Sequence, residues 1–202
     1  MRAPRVITVL VLLLAGCTSP TSAPDGASTA PASTPSTTPS GVTYEQIVAT
    51  IQQELDRSPN AATDQPTLTC PDTGVARRGD VFACTIGSRQ VDWGNAMVAV
   101  LDDAGTAAWD TGMPLPGSTA DLLDEYRATP TGLLCADLLG RAAPPFGGRG
   151  AAPEDAYFGS LVYWFLEGQP ARMDEDGNGV PCEARYDADV VASVMDGGPV
   201  GG

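Results

Sequence analysis

A 24-residue tract made mostly of Ser, Thr and Pro sets the first limit on how this 202-residue chain can fold. Residues 18–41 contain 12 Ser or Thr residues and 5 Pro residues, and they include no large apolar side chain. Such a segment cannot bury enough apolar surface to offset the loss of chain entropy, so we expect a disordered tether. The packed part of the protein must therefore come from the residues that follow.

A short apolar run before this tract is typical of an export signal. Arg2 and Arg5 provide a positive start, and the apolar residues 6–15 are too few to span a membrane but suit a secretory signal peptide at 1–16. The run ends in Leu-Ala-Gly-Cys, which resembles the lipobox of bacterial lipoproteins. That resemblance implies cleavage before Cys17 and a diacylglyceryl lipid on its thiol. We therefore expect a lipid-anchored protein on the extracytoplasmic face of the cell membrane.

The charge balance argues against several functional classes. The chain has no His and no Lys, and its 11 Arg residues face 25 Asp and Glu residues, which leaves a formal net charge of −14. The absence of His excludes Ser-His-Asp triads, Cys-His dyads and His-ligated metals. The negative charge argues against nucleic acid as a partner, because binding requires Lys and Arg to neutralise phosphates. We find no constellation of nucleophile and general base, and we expect no enzymatic activity.

The first segment that can fold begins with a helix. Within residues 42–57, apolar side chains recur at helical spacing. Thr43 can cap this helix, and Gln46 completes a capping box three positions later. Residues 43–112 as a whole predict a small α+β domain, in which this helix packs on an antiparallel sheet.

Four β-prone runs between residues 68 and 110 provide the strands of that sheet. Gly105 can adopt a positive φ and suits the turn of a hairpin. Cys70 and Cys84 lie in the first two runs, and in an exported protein we expect them to form a disulfide.

The order Cys-Pro, Gly, Phe-x-Cys-Thr between residues 70 and 85 resembles a small secreted actinobacterial domain of unknown function. The resemblance implies an extracytoplasmic location and implies no activity. We interpret Arg77 and Arg78 in this segment as solvated turn residues. Trp93 and Trp109 are interpreted as aromatic residues that pack against the sheet.

The run DEDGNGVPCE at residues 174–183 is the strongest chemical motif. Side chains with oxygen atoms recur at every second position, as at positions 1, 3 and 5 of an EF-hand loop, and a Gly and a carbonyl donor follow at positions 6 and 7. The residues at these five positions are Asp174, Asp176, Asn178, Gly179 and Val180. A donor set made only of oxygen atoms suits Ca²⁺ rather than zinc or copper.

The end of the loop differs from an EF-hand. Position 12 is Arg185, which cannot coordinate a cation, and the closing acid is Glu183 at position 10. The run instead resembles the Excalibur motif, D-x-D-x-D-G-x-x-C-E, of an extracellular calcium-binding region of bacteria, with Asn178 in place of the third Asp. This resemblance extends over residues 133–195 and implies a ligand set. The set consists of the side chains of Asp174, Asp176, Asn178 and Glu183 and the carbonyl of Val180.

Few charged ligands and a short loop predict weak calcium binding, with a Kd of about 10⁻⁴ to 10⁻³ M, which suits only a calcium-rich extracellular setting. The four cysteines other than Cys17 allow three pairings, and the sequence does not choose between them. We expect sequence neighbours to pair, since each segment then folds independently. The bridge between Cys135 and Cys182 would fix the loop exit to the preceding helix.

Two further helices are predicted around the loop. The first covers residues 155–167 and packs through aromatic and aliphatic side chains, namely Tyr157, Leu161, Trp164 and Phe165. The second follows the loop, and Asp187 or Asp189 can cap it. The unit is thus helix, calcium loop and helix, held by a disulfide, as expected for a domain this small.

The predicted fold class is α+β, with a helix on a small antiparallel sheet followed by a disulfide-linked helix–calcium loop–helix unit. The predicted organisation is a lipoprotein signal peptide at 1–16, the lipidated Cys and tether at 17–42, the α+β domain at 43–112, a connector at 113–132 and an Excalibur-like calcium-binding domain at 133–197.

The favoured function is a monomeric, non-enzymatic surface lipoprotein. It would touch the membrane through its lipid, and calcium would act structurally or in attachment to a cell-wall polymer or an envelope protein. One alternative is an extracytoplasmic protein- or glycan-interaction module with a non-functional calcium loop. Another is a metal-dependent hydrolase, for which the sequence offers no nucleophile or phosphate-binding Lys.

Overall fold

The computed structural model describes residues 41–58, 61, 65–71, 73–87, 92–113, 119–139 and 152–200. All of them belong to one compact unit, Thr38–Gly202. The predicted signal peptide, Cys17 with its lipid, nearly all of the tether and the side chain of Trp93 lie outside the described residues.

Helix α1, Tyr44–Leu55, begins at the predicted capping box. The Thr43 hydroxyl accepts a hydrogen bond from the backbone N–H of Gln46, and the Gln46 side chain accepts one from the backbone N–H of Thr43. These reciprocal bonds satisfy N–H groups that the first helical turn leaves unpaired. The helix buries its apolar stripe of Ile47, Ile51 and Leu55.

The sheet has five strands in the order β1-β2-β3-β4-β5. The strands are β1, Thr67–Thr69; β2, Val81–Gly87; β3, Asp92–Val100; β4, Ala107–Met113; and β5, Gly198–Val200. The first four are antiparallel neighbours, as predicted, and the β3–β4 turn uses Gly105 at φ +89°. Strand β5 is an addition to the predicted sheet, and it pairs parallel with β4.

The helices of the second half lie between β4 and β5 in the chain. They are α2, Thr119–Arg127; α3, Cys135–Leu139; α4, Pro153–Leu166; and α5, Ala188–Met195. Single 3₁₀ turns, Ala171–Met173 and Glu183–Arg185, flank the candidate calcium loop. Asp187 is the N-cap of α5, but its side chain makes no capping hydrogen bond.

Apolar residues pack on both faces of the sheet because side chains alternate along a strand. Phe82 and Val98 lie in one cluster with α1 and Trp109, and Ala83 and Met97 lie in another with α4. Tyr157 to Phe165 of α4 are all buried, so this helix is covered on every side. The fold is therefore an α+β arrangement in which α1 packs on one face of the sheet and α4 packs on the other.

Both predicted disulfides are confirmed. Cys70 pairs with Cys84 and ties β1 to β2, and Cys135 pairs with Cys182 across 47 positions and ties α3 to the end of the candidate loop. Among the helices of the described residues, none combines the length and apolar character that crossing a membrane requires.

Candidate metal centre

The candidate loop is closed at its base by one backbone hydrogen bond. The Cys182 N–H donates to the Met173 carbonyl at 2.7 Å, which brings the entry and exit of the loop together. Within the loop, Gly177 and Gly179 have φ values of +71° and +86°. An L side chain is disfavoured in this region, so both glycines permit the sharp turns of the loop. The disulfide of Cys182 holds the closed loop against α3.

Asp174 lies at the head of the loop and is buried, with 9% of its surface exposed. Its Oδ2 accepts a hydrogen bond from the Gly179 N–H at 2.9 Å. Its Oδ1 is buried and has no hydrogen-bond partner in the described part of the chain. Burying a carboxylate oxygen without a partner costs free energy. This oxygen is therefore suited to coordinate a cation.

Asn178 joins the other two acidic residues of the predicted set. Its Nδ2 donates to Asp176 Oδ2 and to Glu183 Oε2, each at 3.1 Å, and its N–H donates to Asp176 Oδ1 at 3.2 Å. Its Oδ1 accepts from the Val180 N–H at 2.7 Å. The side chains of Asp176, Asn178 and Glu183 are thus brought together, with an amide group between the two carboxylates.

The oxygen atoms of these residues are of the kind that calcium binds. Their carboxylates, however, do not form a preassembled metal site. In the part of the chain that the structure describes, no three His, Cys, Asp or Glu side chains group closely enough to hold a metal ion. The predicted set depends on an amide and a backbone carbonyl for two of its five donors. Calcium accepts such neutral oxygen donors, and the unpartnered oxygen of Asp174 gives it an anionic donor in the same loop.

Tyr157 is a neighbour of the loop that the sequence marked only as a core residue. Its hydroxyl is buried and has no hydrogen-bond partner among the described residues. Burial raises the pKa of Tyr157, and the negative charges of the Glu183 and Asp174 carboxylates raise it further. The phenol therefore stays protonated beside the loop. Its ring packs edge-on against that of Tyr186, with 5.1 Å between the centroids.

Arg78 reaches the loop from the turn between β1 and β2. Its Nη2 donates to the Gly179 carbonyl at 2.8 Å, across 101 sequence positions, and its N–H donates to Asp103 Oδ1 at 3.0 Å. Arg78 is an exposed turn residue, as predicted, but its guanidinium also contacts the loop, which the sequence interpretation did not include. Nothing in the sequence pointed to this contact, because it depends on how the two halves of the chain pack. Arg77 is exposed, as predicted, and Trp109 is buried in the sheet.

No protein-family model, curated protein or solved structure matches this chain. The resemblances to the lipobox, to the secreted actinobacterial domain and to the Excalibur motif therefore rest on the residues quoted above.

Proposed function

We propose that this protein is a lipid-anchored, non-enzymatic surface protein whose C-terminal loop binds extracellular calcium. The ligands would be the side chains of Asp174, Asp176, Asn178 and Glu183, with the carbonyl of Val180. A bound Ca²⁺ would neutralise these carboxylates and order the loop, or it would join the protein to an acidic wall polymer or an envelope protein. An export signal and a lipid on Cys17 would put the loop outside the cell, where calcium is abundant.

The observation that carries this proposal is the buried, unpartnered Oδ1 of Asp174. Its second oxygen is held by the Gly179 N–H, so the free oxygen cannot turn to water without breaking that bond. A divalent cation bound by the three acids of the set would reduce the charge repulsion between them. The closed loop base and the disulfide hold the acids in place before the cation arrives, which lowers the entropy cost of binding.

A calcium titration of the oxidised unit Thr38–Gly202, by calorimetry and thermal melting, tests the proposal. We expect saturable binding with a Kd of about 10⁻⁴ to 10⁻³ M and no comparable effect of magnesium. Calcium at ten times its Kd would stabilise the unit by about 1.4 kcal/mol. For a domain of this size that corresponds to a rise in Tm of about 3–5 °C relative to EDTA.

Asp174→Asn is the decisive variant, because it keeps the size of the side chain and removes the charge of the unpartnered oxygen. We expect it to lower calcium affinity at least tenfold. Asp187→Asn is the matched control, since it makes the same charge change at an exposed helix cap whose side chain makes no capping hydrogen bond. The absence of heat and of any shift in Tm up to about 10 mM calcium, far above the expected Kd, would refute calcium binding.

One observation favours the alternative of an interaction module with a non-functional loop. The Asn178 amide already bridges the carboxylates of Asp176 and Glu183, so the loop is hydrogen-bonded without a metal. In that case binding of a purified wall glycan or envelope protein would be the same in calcium and in EDTA, and Asp174→Asn would leave it unchanged.

A further inference from the structure

A cavity of about 250 Å³ lies beside the candidate loop, against the Cys135–Cys182 disulfide. Asp176 and Glu183, two of the proposed calcium ligands, also line it. A ligand in this cavity would therefore lie beside a cation that these two carboxylates hold. The volume is below the usual range for drug-sized ligands, so it suits a small molecule or one group of a longer chain.

Two guanidinium groups line the same cavity. Arg172 is fixed, because its Nε donates to the Leu133 carbonyl and its Nη2 to Glu167 Oε2, each at 3.3 Å. Arg185 is exposed, and its side chain makes no hydrogen bond or ion pair within the described part of the chain. It stands at the loop position where an EF-hand has its closing acid. An arginine at that position cannot bind the cation, but it can bind an anion next to it.

The charge of the cavity depends on the loop. Glu175, Asp176 and Glu183 line it against the two arginines, and Glu167 pairs with Arg172, so these groups carry a formal charge of −2. A bound Ca²⁺ would neutralise this charge. Behind the loop, the charges of Asp174 and Arg78 cancel formally, so they do not alter the balance. An anion is thus repelled without calcium, whereas with calcium that repulsion is removed and the ion itself attracts the anion.

We propose that the calcium-loaded cavity binds a small oxyanion, a carboxylate or phosphate group, between the calcium ion and the guanidinium groups of Arg172 and Arg185. This inference rests on the proposed calcium function. If each of the five protein groups gives one oxygen, they supply fewer than the six to eight that calcium takes, so an oxygen from the ligand can complete its shell. Leu134, 48% exposed at the cavity, provides an apolar contact for the carbon skeleton of the ligand.

Calorimetric titration of the unit Thr38–Gly202 with three probes tests this proposal: glycerol 3-phosphate, glucuronate and uncharged glucose. We expect glycerol 3-phosphate or glucuronate to bind in saturating calcium, and neither to bind in EDTA. Glucose would not bind in either condition. Binding of only one of the two oxyanions would support the proposal and identify the acid group that the cavity selects.

Arg185→Ala should weaken oxyanion binding by roughly 10- to 150-fold, the loss expected for a charge-assisted hydrogen bond. It should leave calcium affinity unchanged or slightly raised, since it removes a positive charge near the cation. Arg127→Ala is the matched control, because Arg127 is exposed and, among the described residues, its ion pair is with the neighbouring Asp124 at 3.5 Å. It should change neither affinity.

The outcomes separate the two proposals. If calcium binds normally and neither oxyanion does, the oxyanion site is wrong and the calcium function stands. If the oxyanions bind equally well in calcium and EDTA, or equally well to the Arg185→Ala variant, the site is also wrong. If calcium itself does not bind, the proposed function fails first.

Discussion

Replacing Arg78 by Ala would remove a hydrogen bond between the candidate loop and the turn that connects β1 and β2. In the folded protein, its Nη2 donates to the Gly179 carbonyl at 2.8 Å. A hydrogen bond with a charged donor contributes about 1.5–3 kcal/mol to stability. Once the donor is removed, the carbonyl can form a hydrogen bond only with water. Much of Arg78 is exposed, so water can reach the site and the loss is reduced. We expect the free energy of unfolding to fall by about 1–2 kcal/mol.

Arg77→Ala is the control that the chain itself offers. It makes the same charge change one residue away, and the Arg77 side chain forms no hydrogen bond or ion pair to the residues that the structure describes. A substitution of this kind changes stability by no more than about 0.5 kcal/mol. Urea denaturation of both variants in EDTA measures the difference. Thermal melting should show a Tm lower by about 3–6 °C for Arg78→Ala and unchanged for Arg77→Ala.

A double-mutant cycle with Gly179→Ala tests the geometry of the same contact. Gly179 has a φ of +86°, and a Cβ there would meet the Arg78 guanidinium. Gly179→Ala alone should cost about 1–2 kcal/mol of left-handed strain and also displace Arg78. In the Arg78→Ala background the second effect is absent, so the double variant should lose about 1 kcal/mol less than the sum. Additive losses, or an equal effect of Arg77→Ala, would refute the reasoning.

Three further predictions concern the disulfide, a buried phenol and the loop amide. Replacing Cys135 and Cys182 together by Ser should cost roughly 4 kcal/mol, from the 47-residue loop that they close, and should also weaken calcium binding. Removing the other disulfide, which closes a shorter loop, should lower stability and leave calcium affinity unchanged; calorimetry and urea titration measure both effects. Burial, together with nearby negative charge, raises the pKa of Tyr126 well above its ordinary value of 10.0. Because the folded-state pKa is the higher one, this group contributes stability below pH 10 that is lost as the pH rises further, and melting curves of a Tyr126→Phe variant should show a shallower alkaline decline. Asn178→Asp removes the amide that links two carboxylates and adds a third charge. It should destabilise the calcium-free protein by about 1–2 kcal/mol and lower the calcium Kd, and the proposed ligand role of this position would be refuted if the Kd were unchanged.

Features set by local sequence could be predicted closely. The capping box of Thr43 and Gln46, the turn at Gly105 and the sharp turn of the loop at Gly179 depend on residues within a few positions of each other. Such features rely on backbone preferences and short-range hydrogen bonds, which the sequence carries directly. The four antiparallel strands were predictable for the same reason, since turns connect consecutive strands.

Contacts between distant segments could not be predicted. Strand β5 is three residues long and contains Pro199, which has no N–H to donate, so its own sequence favours a strand only weakly. It forms because α5, which precedes it, positions it at the edge of β4. The hydrogen bond from Arg78 crosses 101 positions. The place of Tyr157 beside the loop depends on how α4 packs. These contacts arise from the packing of one unit, for which the sequence carries no local pattern.

The position of Asn178 links the architecture of the loop to the strength of the proposed calcium binding. Its amide donates to both carboxylates, where it partly offsets their repulsion in the absence of a metal. A cation that binds between these carboxylates must replace two hydrogen bonds, and it does so with one acid fewer than the full motif offers. Both effects would reduce affinity, whereas the closed loop base and the disulfide would help to keep the loop in shape without calcium. Such a loop would bind and release calcium at the millimolar concentrations outside a cell, and it would stay folded in both the bound and the free state.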